Sequence, residues 1–219
     1  MRIYAVADIH GKTETLEKIK KTVQRESPDL VVLAGDMTQY FSPLNTLSQL
    51  EEFNIPVFAV RGNSDLKSVE ALIRQRGKIT LLGREAIEFQ GQSFLGLNGT
   101  LPLPFVSKVC LFESRRFREI ENRVTPETIL VAHPPPRGIC DQVGNRFSAG
   151  SFGLRRLVEN HPPLLVLCGH IHEQAGYQFF KNTLVVNCAV NKTFIGAIID
   201  CKTDCEKDGP LHIKMVLTD

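Results

Sequence analysis

The sequence predicts an α/β (α+β) chain in which two packed β-sheets are flanked by helices, and three observations predict it. Short apolar runs alternate with helical patterns up to residue 78, the signature of a sheet with helices packed on it. From residue 79 onward nine further runs are strand-like, while only two helical segments remain. So much strand exceeds what a single open sheet usually holds, which favours two sheets face to face.

The elements follow in order. "RIYAVA" (2–7) reads as a buried strand. "TETLEKIKKTVQRES" then places Leu16, Ile19 and Val23 at helical spacing, with Thr13 as the expected N-cap. "LVVLAG" (30–35) precedes a loop and a mixed segment to residue 53, and "IPVFAV" (55–60) precedes a loop and the helical "LKSVEALIRQRG". The later strands are "ITLL", "EAIEF", "SFLGL", "TILVA", "LLVLC", "AGYQFF", "TLVV", "FIGAII" and "LHIKMVL". The two late helices are "ESRRFREIENR" (113–123) and "SFGLRRLVEN" (151–160), the second with Ser151 as N-cap after Gly150. The longest irregular stretches, 98–110 and 133–150, are expected to be functional loops.

Composition narrows the function. The 219 residues are 42% hydrophobic with no repeat, low-complexity tract or linker, so residues 1–219 are expected to form one domain. With 26 basic against 24 acidic residues and no like-charge block, nothing suggests a polyanion-binding stripe or an anionic-membrane partner, although nucleic acid stays open as a substrate. "MRIYAVADIHG" lacks the apolar core and cleavage site of a signal peptide, and no run approaches the roughly 20 residues of a membrane span. A cytoplasmic protein is expected. The six cysteines form no CxxC pair. Cys168 and Cys188, in apolar runs, read as buried free thiols, and Cys201 and Cys205 in a polar turn are weak candidates for metal or a bridge.

The chemistry collects where the strands end. "AVADIHG" supplies Asp8 and His10, "VLAGDMT" Asp36, "AVRGNSD" Asn63 and Asp65, "LVAHPPP" His133, and "LCGHIH" His170 and His172. Any one of these is ordinarily a cap or a turn residue. Five runs ending in metal-ligand residue types, four of them beside glycine, point instead to one crevice at a common sheet edge. In an extended segment residues i and i+2 project the same way, so Asp8 with His10, and His170 with His172, are each expected to present two ligands together. Carboxylates, imidazoles and one amide suit Mn²⁺, Fe or Zn²⁺. About seven ligands are too many for one tetrahedral ion but suit two ions about 3.5–4 Å apart that share a carboxylate.

In this order, D-x-H, G-D, G-N-x-D, an isolated H and G-H-x-H resemble the calcineurin-like metallophosphoesterase superfamily, over residues 3–190. "HPPPRGICDQ", followed by "GS" and a short helix before "GHIHEQAG", is similar to its compact single-domain prokaryotic members. The resemblance implies a four-layer α-β-β-α sandwich of two mixed sheets. It implies that Asp8, His10 and His172 bind one metal, that Asn63, His133 and His170 bind the other, and that Asp36 bridges them, with Asp36, Asn63 and His133 also counted as catalytic. Two divalent ions are implied, Mn²⁺ first, with Fe, Zn²⁺ or Ni²⁺ as the other candidates. The expected chemistry is hydrolysis of a phosphate-ester small molecule or nucleotide by a metal-bridging hydroxide attacking in line, without a covalent intermediate. A homo-oligomer is compatible with this reading.

One position departs from the pattern. Most members of the superfamily read G-N-H-[DE] at the third motif, and here the tetrapeptide is Gly62-Asn63-Ser64-Asp65. A serine hydroxyl has no pKa near neutrality and cannot replace imidazole as a general acid, so poor leaving groups should suffer by roughly 10²–10⁴-fold. Compact relatives with a small residue there tend to favour phosphodiesters over monoesters, and a phosphodiesterase is therefore expected. Ser64, Asp65, Arg61 and Arg137 are the candidate substrate contacts, with Asn145 a further one. Asp65 reads equally as support for a metal ligand or as a helix N-cap. Asn98 reads as a substrate contact or a structural residue, and Asn187 as a structural turn. The apolar loop 101–112 reads as a lid or a subunit contact. The competing function is a metal-binding scaffold, catalytically weak or inactive, that binds partner proteins; Ser64 favours it and the full ligand set opposes it.

Overall fold

In a computed structural model of the chain, residues 1–39, 43–97, 117–144, 146–201 and 211–218 are described. The first sheet is built from β1 (Arg2–Val6), β2 (Leu30–Ala34), β3 (Val57–Val60) and β4 (Thr80–Leu81). The second takes β5 (Ile87–Phe89), β6 (Gln92–Leu97), β7 (Thr128–Ala132), β10 (Leu165–Cys168), β11 (Gly176–Phe180) and β12 (Thr183–Asn187). A small hairpin of β8 (Gln142–Val143) and β9 (Phe147–Ser148) lies between β7 and β10 in the chain, while β13 (Phe194–Cys201) and β14 (Leu211–Leu217) return to the first sheet. The strand orders are β14-β13-β1-β2-β3-β4 and β11-β12-β10-β7-β6-β5. Both sheets are mixed: β1 to β4 run parallel with antiparallel β13 beside β1, and β6, β7, β10 and β12 run parallel with antiparallel β5 and β11 at the two edges.

Strand periodicity builds the layers. In β1, Ile3 and Ala5 enter the core between the sheets, where Val32, Phe58, Phe94, Val131 and Leu167 meet them. Tyr4 and Val6 point the other way, onto the helices α1 (Thr13–Glu26), α2 (Pro43–Leu50) and α3 (Lys67–Arg76) through Leu16, Ile19, Leu47 and Ile73. On the far side α4 (Phe152–Asn160) covers the second sheet, setting Leu154, Leu157 and Val158 against Leu130 and Val166. The result is the four-layer α-β-β-α sandwich. Strands buried on both faces read as continuous apolar runs, which explains why their sequences barely alternate. Between the sheets Phe58 meets Phe94 edge-on, with ring centroids 5.2 Å apart, and each such buried side chain contributes about 1.5–3 kcal/mol.

Three local expectations change. The α1 N-cap is Lys12, with Thr13 the first helical residue, and Lys12 makes no side-chain cap bond. α3 is capped by Leu66, not Asp65, because the Asp65 carboxylate is bonded elsewhere. Of the helix expected over 113–123, residues 117–123 are described: Phe117 and Arg118 are helical, a turn follows, and Glu121–Arg123 form a 3₁₀ turn. Ser151 does cap α4, accepting from Leu154 N at 3.0 Å. Asn98, Asn145, Cys205 and loop 101–112 lie outside the described residues.

The two sheets are stitched where the chain leaves β1. Ala7 pairs with Ala189 in a parallel bridge, Ala7 N donating to Cys188 O and Val190 N to Ala7 O, both at 3.0 Å. The strands therefore run the same way in both sheets, and the carboxyl ends of β1, β2, β3, β7 and β10 open on one edge.

Candidate metal centre

Each of those five strand ends delivers its polar residues to the same place. Asp8, His10 and His172 bring ligand atoms within 4.8 Å of one another, and so do Asp8, Asp36 and His133. His172 Nε2 lies 3.2 Å from Asp8 Oδ1, and His10 Nε2 lies 4.0 Å from both Asp8 Oδ1 and Asp36 Oδ2. His133 Nε2 lies 2.9 Å from Asn63 Oδ1 and 3.4 Å from Asp36 Oδ2. The His170 ring faces His133 with centroids 5.1 Å apart, and the His10 and His172 rings are 5.7 Å apart. The two imidazoles of "GHIH" thus go to different neighbours, His172 to Asp8 and His170 to His133.

The pairs do not converge through extended backbone. Asp8, His10, Asp36 and His170 all occupy the left-handed region, with φ of 62°, 49°, 51° and 72°, and His172 opens a 3₁₀ turn. This corrects the i, i+2 expectation: sharp turns aim the side chains, at a local cost of about 1–2 kcal/mol per residue. Loop-to-loop bonds hold the turns in place. Asp8 N donates to Gly35 O at 3.0 Å, His10 N to Asp36 O at 2.9 Å and Gly169 N to His133 O at 2.8 Å. Glycine leaves room for them. A Cβ on Gly62 would stand 2.1 Å from Asp36 Oδ1, and one on Gly35, itself at φ +94°, would stand 2.6 Å from His133 Nδ1.

Hydrogen bonds orient the carboxylates. Asp36 accepts from Ser64 N (Oδ1, 2.7 Å) and Ser64 Oγ (Oδ2, 2.8 Å). Asp8 Oδ2 accepts from His170 N at 2.8 Å. Buried Asp65 ties the β2 and β3 loops together, accepting from Met37 N, Thr38 N, Thr38 Oγ1 and Gly62 N at 2.8–3.3 Å. Thr38 has no counterpart in the sequence-level site: a threonine after an aspartate carries no pattern, and its role appears only once Asp65 folds back.

Two features of this geometry call for cations. The Asp8 carboxylate is buried, yet Oδ1 makes no aligned hydrogen bond and faces imidazole nitrogens instead. His133 Nδ1 sits 2.9 Å from Ala34 O, which only accepts, so Nδ1 carries the hydrogen and the lone pair of the neutral ring is on Nε2. That lone pair points at two oxygens, Asn63 Oδ1 and Asp36 Oδ2, an arrangement that is repulsive unless something positive lies between them. In the metal-free protein a proton serves. Burial opposes the charge on His133, but Asp36 and Asp8 outweigh it and raise the ring to about 9. Burial likewise pushes the Asp36 carboxyl up, and His133 with both Ser64 bonds overrides it, holding Asp36 far below the carboxylate range. The carboxylate Asp8 raises His172, while burial and the neighbouring His133 lower His170. Buried carboxylates, imidazoles and an amide oxygen, with an orphaned oxygen and an opposed lone pair, fit two divalent ions.

The remaining candidates stand further out. Arg61 donates from Nε to Glu70 Oε1 at 2.7 Å and from Nη1 to the carbonyls of Asp65 (2.9 Å) and Gly62 (3.3 Å), so it braces the turn that carries Asn63. Arg137 donates to Ser148 O at 2.6 Å, stacks 4.3 Å over the exposed Phe152 ring and has no carboxylate partner among the described residues. Asn187 donates to Ile171 O at 2.9 Å and accepts from Ala189 N, a structural turn as expected. Asn191, which the sequence reading passed over, donates to His172 O at 2.8 Å. An Asx turn ahead of "TFIGAII" was the available signal for it. Cys168, Cys188 and Cys201 are buried free thiols. No helix among the described residues is long and apolar enough to cross a membrane.

Comparison with known proteins places this geometry. A family model for calcineurin-like phosphoesterases matches residues 1–174. The chain is 26% identical over 205 residues to the uncharacterized protein MJ1162 of Methanocaldococcus jannaschii, covering 89% of this chain and 91% of the relative. It is 24% identical over 159 residues to a "Probable cyclic nucleotide phosphodiesterase" of Synechococcus, covering 69% of this chain and 60% of that protein's length. Its fold superposes on a dimetal phosphatase from Danio rerio with a TM-score of 0.69 at 12% identity, over 98% and 95% of the two chains. With the motif residues converging at one edge of the sandwich and the family model spanning most of the sequence, this chain belongs to the calcineurin-like phosphoesterase family.

Proposed function

We propose that residues 1–219 act as one domain with a dinuclear, metal-dependent phosphoesterase centre that prefers phosphodiesters. The observation that carries this reading is the buried cluster in which Asp8 Oδ1 lacks a hydrogen bond and the His133 lone pair faces oxygen. Asp8, His10 and His172 would hold one ion and Asn63, His133 and His170 the other, with Asp36 between them. Mn²⁺ is our first choice, ahead of Fe, Zn²⁺ and Ni²⁺, because the donor set is mixed nitrogen and oxygen. When bound, two such ions supply Lewis acidity, drawing charge from the phosphoryl oxygens and acidifying the attacking water.

The chain's own groups point to direct transfer to water. Ser64 Oγ donates to Asp36 Oδ2 at 2.8 Å, but a carboxyl held far below its ordinary range is a poor base for it, and Thr38, bonded to Asp65 Oδ1 at 2.8 Å, is buried, so neither hydroxyl stands ready as a nucleophile. Asp36, Asn63 and His133 fix the reacting region, while Asp65 and Arg61 brace the turn that presents Asn63 and Ser64. We assign Arg137 to the substrate's anionic group: stacking and one hydrogen bond pre-orient its guanidinium without neutralising it. Ser64, short and bonded to Asp36, leaves space for a second ester substituent and offers no acid for the leaving group. The names of the Synechococcus and Danio rerio proteins, a cyclic nucleotide phosphodiesterase and a phosphatase, are compatible with esterase chemistry on a small phosphate ester or nucleotide. A cytoplasmic setting suits such substrates.

The test is hydrolysis of bis(p-nitrophenyl) phosphate and p-nitrophenyl phosphate, side by side, after metal is stripped and Mn²⁺ returned. Faster, strictly metal-dependent cleavage of the diester supports the reading; faster cleavage of the monoester reverses the preference. Ser64 also favours a second reading, a metal-binding scaffold for partner proteins. Two bound ions without hydrolysis of either ester would establish it.

A further inference from the structure

Beyond the ligands themselves, the segment that follows β12 is placed against both halves of one candidate ion site. Cys188 O and Val190 N bind Ala7 on either side of its peptide, immediately before Asp8. Cys188 N donates to Cys168 O at 2.8 Å, at the end of the strand that leads to His170. Two asparagines then grip the "GHIH" turn by its carbonyls: Asn187 Nδ2 holds Ile171 O at 2.9 Å and Asn191 Nδ2 holds His172 O at 2.8 Å. Both lie beyond residue 174, where the family match ends. The turn needs holding, since His170 is left-handed, His172 starts a 3₁₀ turn, and the His172 side chain is nearly half exposed.

We propose that residues 187–191 form a clasp that sets the Asp8–His10–His172 site in particular, with Asn191 and Asn187 as positioning residues for His172. This rests on the dinuclear reading above. The asymmetry is the substance of the inference: the clasp touches Ala7 and His172 directly, whereas His133 and Asn63 are held by Ala34 O and by the Asp65 network. Losing the Asn191 contact, which touches His172 alone in the turn, should therefore weaken one ion and spare the other.

Asn191 permits a clean test because its two amide atoms do different work. Oδ1 accepts from Thr193 N (2.8 Å) and Phe194 N (2.7 Å) and so builds the turn into β13, while Nδ2 alone reaches His172. Asn191→Asp keeps the acceptors and replaces the donor by an oxygen that repels His172 O. Its added negative charge would by itself tighten cation binding, so a weaker ion reads the lost grip and not the charge. Mn²⁺ binding by calorimetry, with electron paramagnetic resonance to separate coupled pairs from isolated ions, is measured on the wild type, Asn191→Asp and Asn191→Ala. The expected result for Asn191→Asp is one ion weakened by about 10–100-fold, the other unchanged, an isolated-ion signal at intermediate loading and an unchanged metal-free Tm. Asn191→Ala should add a fall in Tm through loss of the turn. Unchanged affinity at both sites, or equal weakening of both together with a lower Tm in Asn191→Asp, overturns the clasp. A wild type that binds fewer than two ions overturns the dinuclear reading and the clasp with it.

Discussion

In the metal-free protein His133 holds a proton beside the Asp36 carboxylate, where an ion would replace it. His133 is raised from 6.5 to about 9 against the opposing effect of burial, chiefly by Asp36. A raised folded-state value stabilises the fold fully below the unfolded value and is lost as pH climbs through the folded one. The metal-free protein should therefore lose stability between about pH 6.5 and pH 9, and Asp36→Asn should flatten that slope. Thermal melts in chelator across this range check it, and a slope unaffected by Asp36→Asn would sink the assignment. The same substitution should cut Mn²⁺-dependent diester hydrolysis by more than about 100-fold, since even groups that merely support ligands cost 10–100-fold. Ser64→His is the converse test: restoring an imidazole should speed alkyl monoesters by at least about 10-fold while diesters gain little. The candidate ligands were legible in the sequence as a group because each ends an apolar run. Their geometry was not, because the left-handed turns at Asp8, His10, Asp36 and His170 depend on bonds from loops distant in sequence.

At the scale of elements, legibility followed the strength of local signals. The doubly buried strands were plain as apolar runs, and Ser151 was plain as a cap because Gly150 and an amphipathic helix bracket it. Short elements without a period were not: β8 and β9 are two residues each, and the 117–123 segment turns instead of continuing as a helix. Asp65 read equally as the α3 cap and as a support for the site, and a buried carboxylate with four backbone and hydroxyl donors around it is better satisfied in the second role than by a helix end. α4 is the element where a cap matters most for the site, since it begins beside the loop from His133. Pro136 pairs with Ser151, and Ser151 N donates to Pro135 O. Ser151→Ala should lower stability by about 1–2 kcal/mol in urea titrations. A change below about 0.3 kcal/mol would show that the buried backbone bonds carry this helix start without the hydroxyl.

At the scale of the molecule, the candidate ligands divide between the two sheets. Asp8, His10, Asp36 and Asn63 follow β1, β2 and β3, whereas His133, His170 and His172 follow β7 and β10. Any ion bound here therefore adds a cross-link to the sandwich at the edge already tied by the Ala7–Ala189 bridge, the His133 Nδ1 contact with Ala34 O and the bond from His170 N to Asp8 Oδ2. Binding to the folded state alone stabilises it by about 2.7 kcal/mol per site at a hundred times the dissociation constant. For a domain of this size that corresponds to a rise in Tm of roughly 5–10 °C per ion. Hydrogen exchange should show where the gain resides: protection should rise together at residues 7–11, 35–38, 132–134 and 169–173, in both sheets, and fall back when chelator is added. His172→Ala should remove about half of the Tm rise, and Asp36→Asn most of it, because the first lies on one ion and the second between both. Protection confined to one sheet, or a Tm indifferent to Mn²⁺, would mean that the converging residues do not share ions across the sandwich.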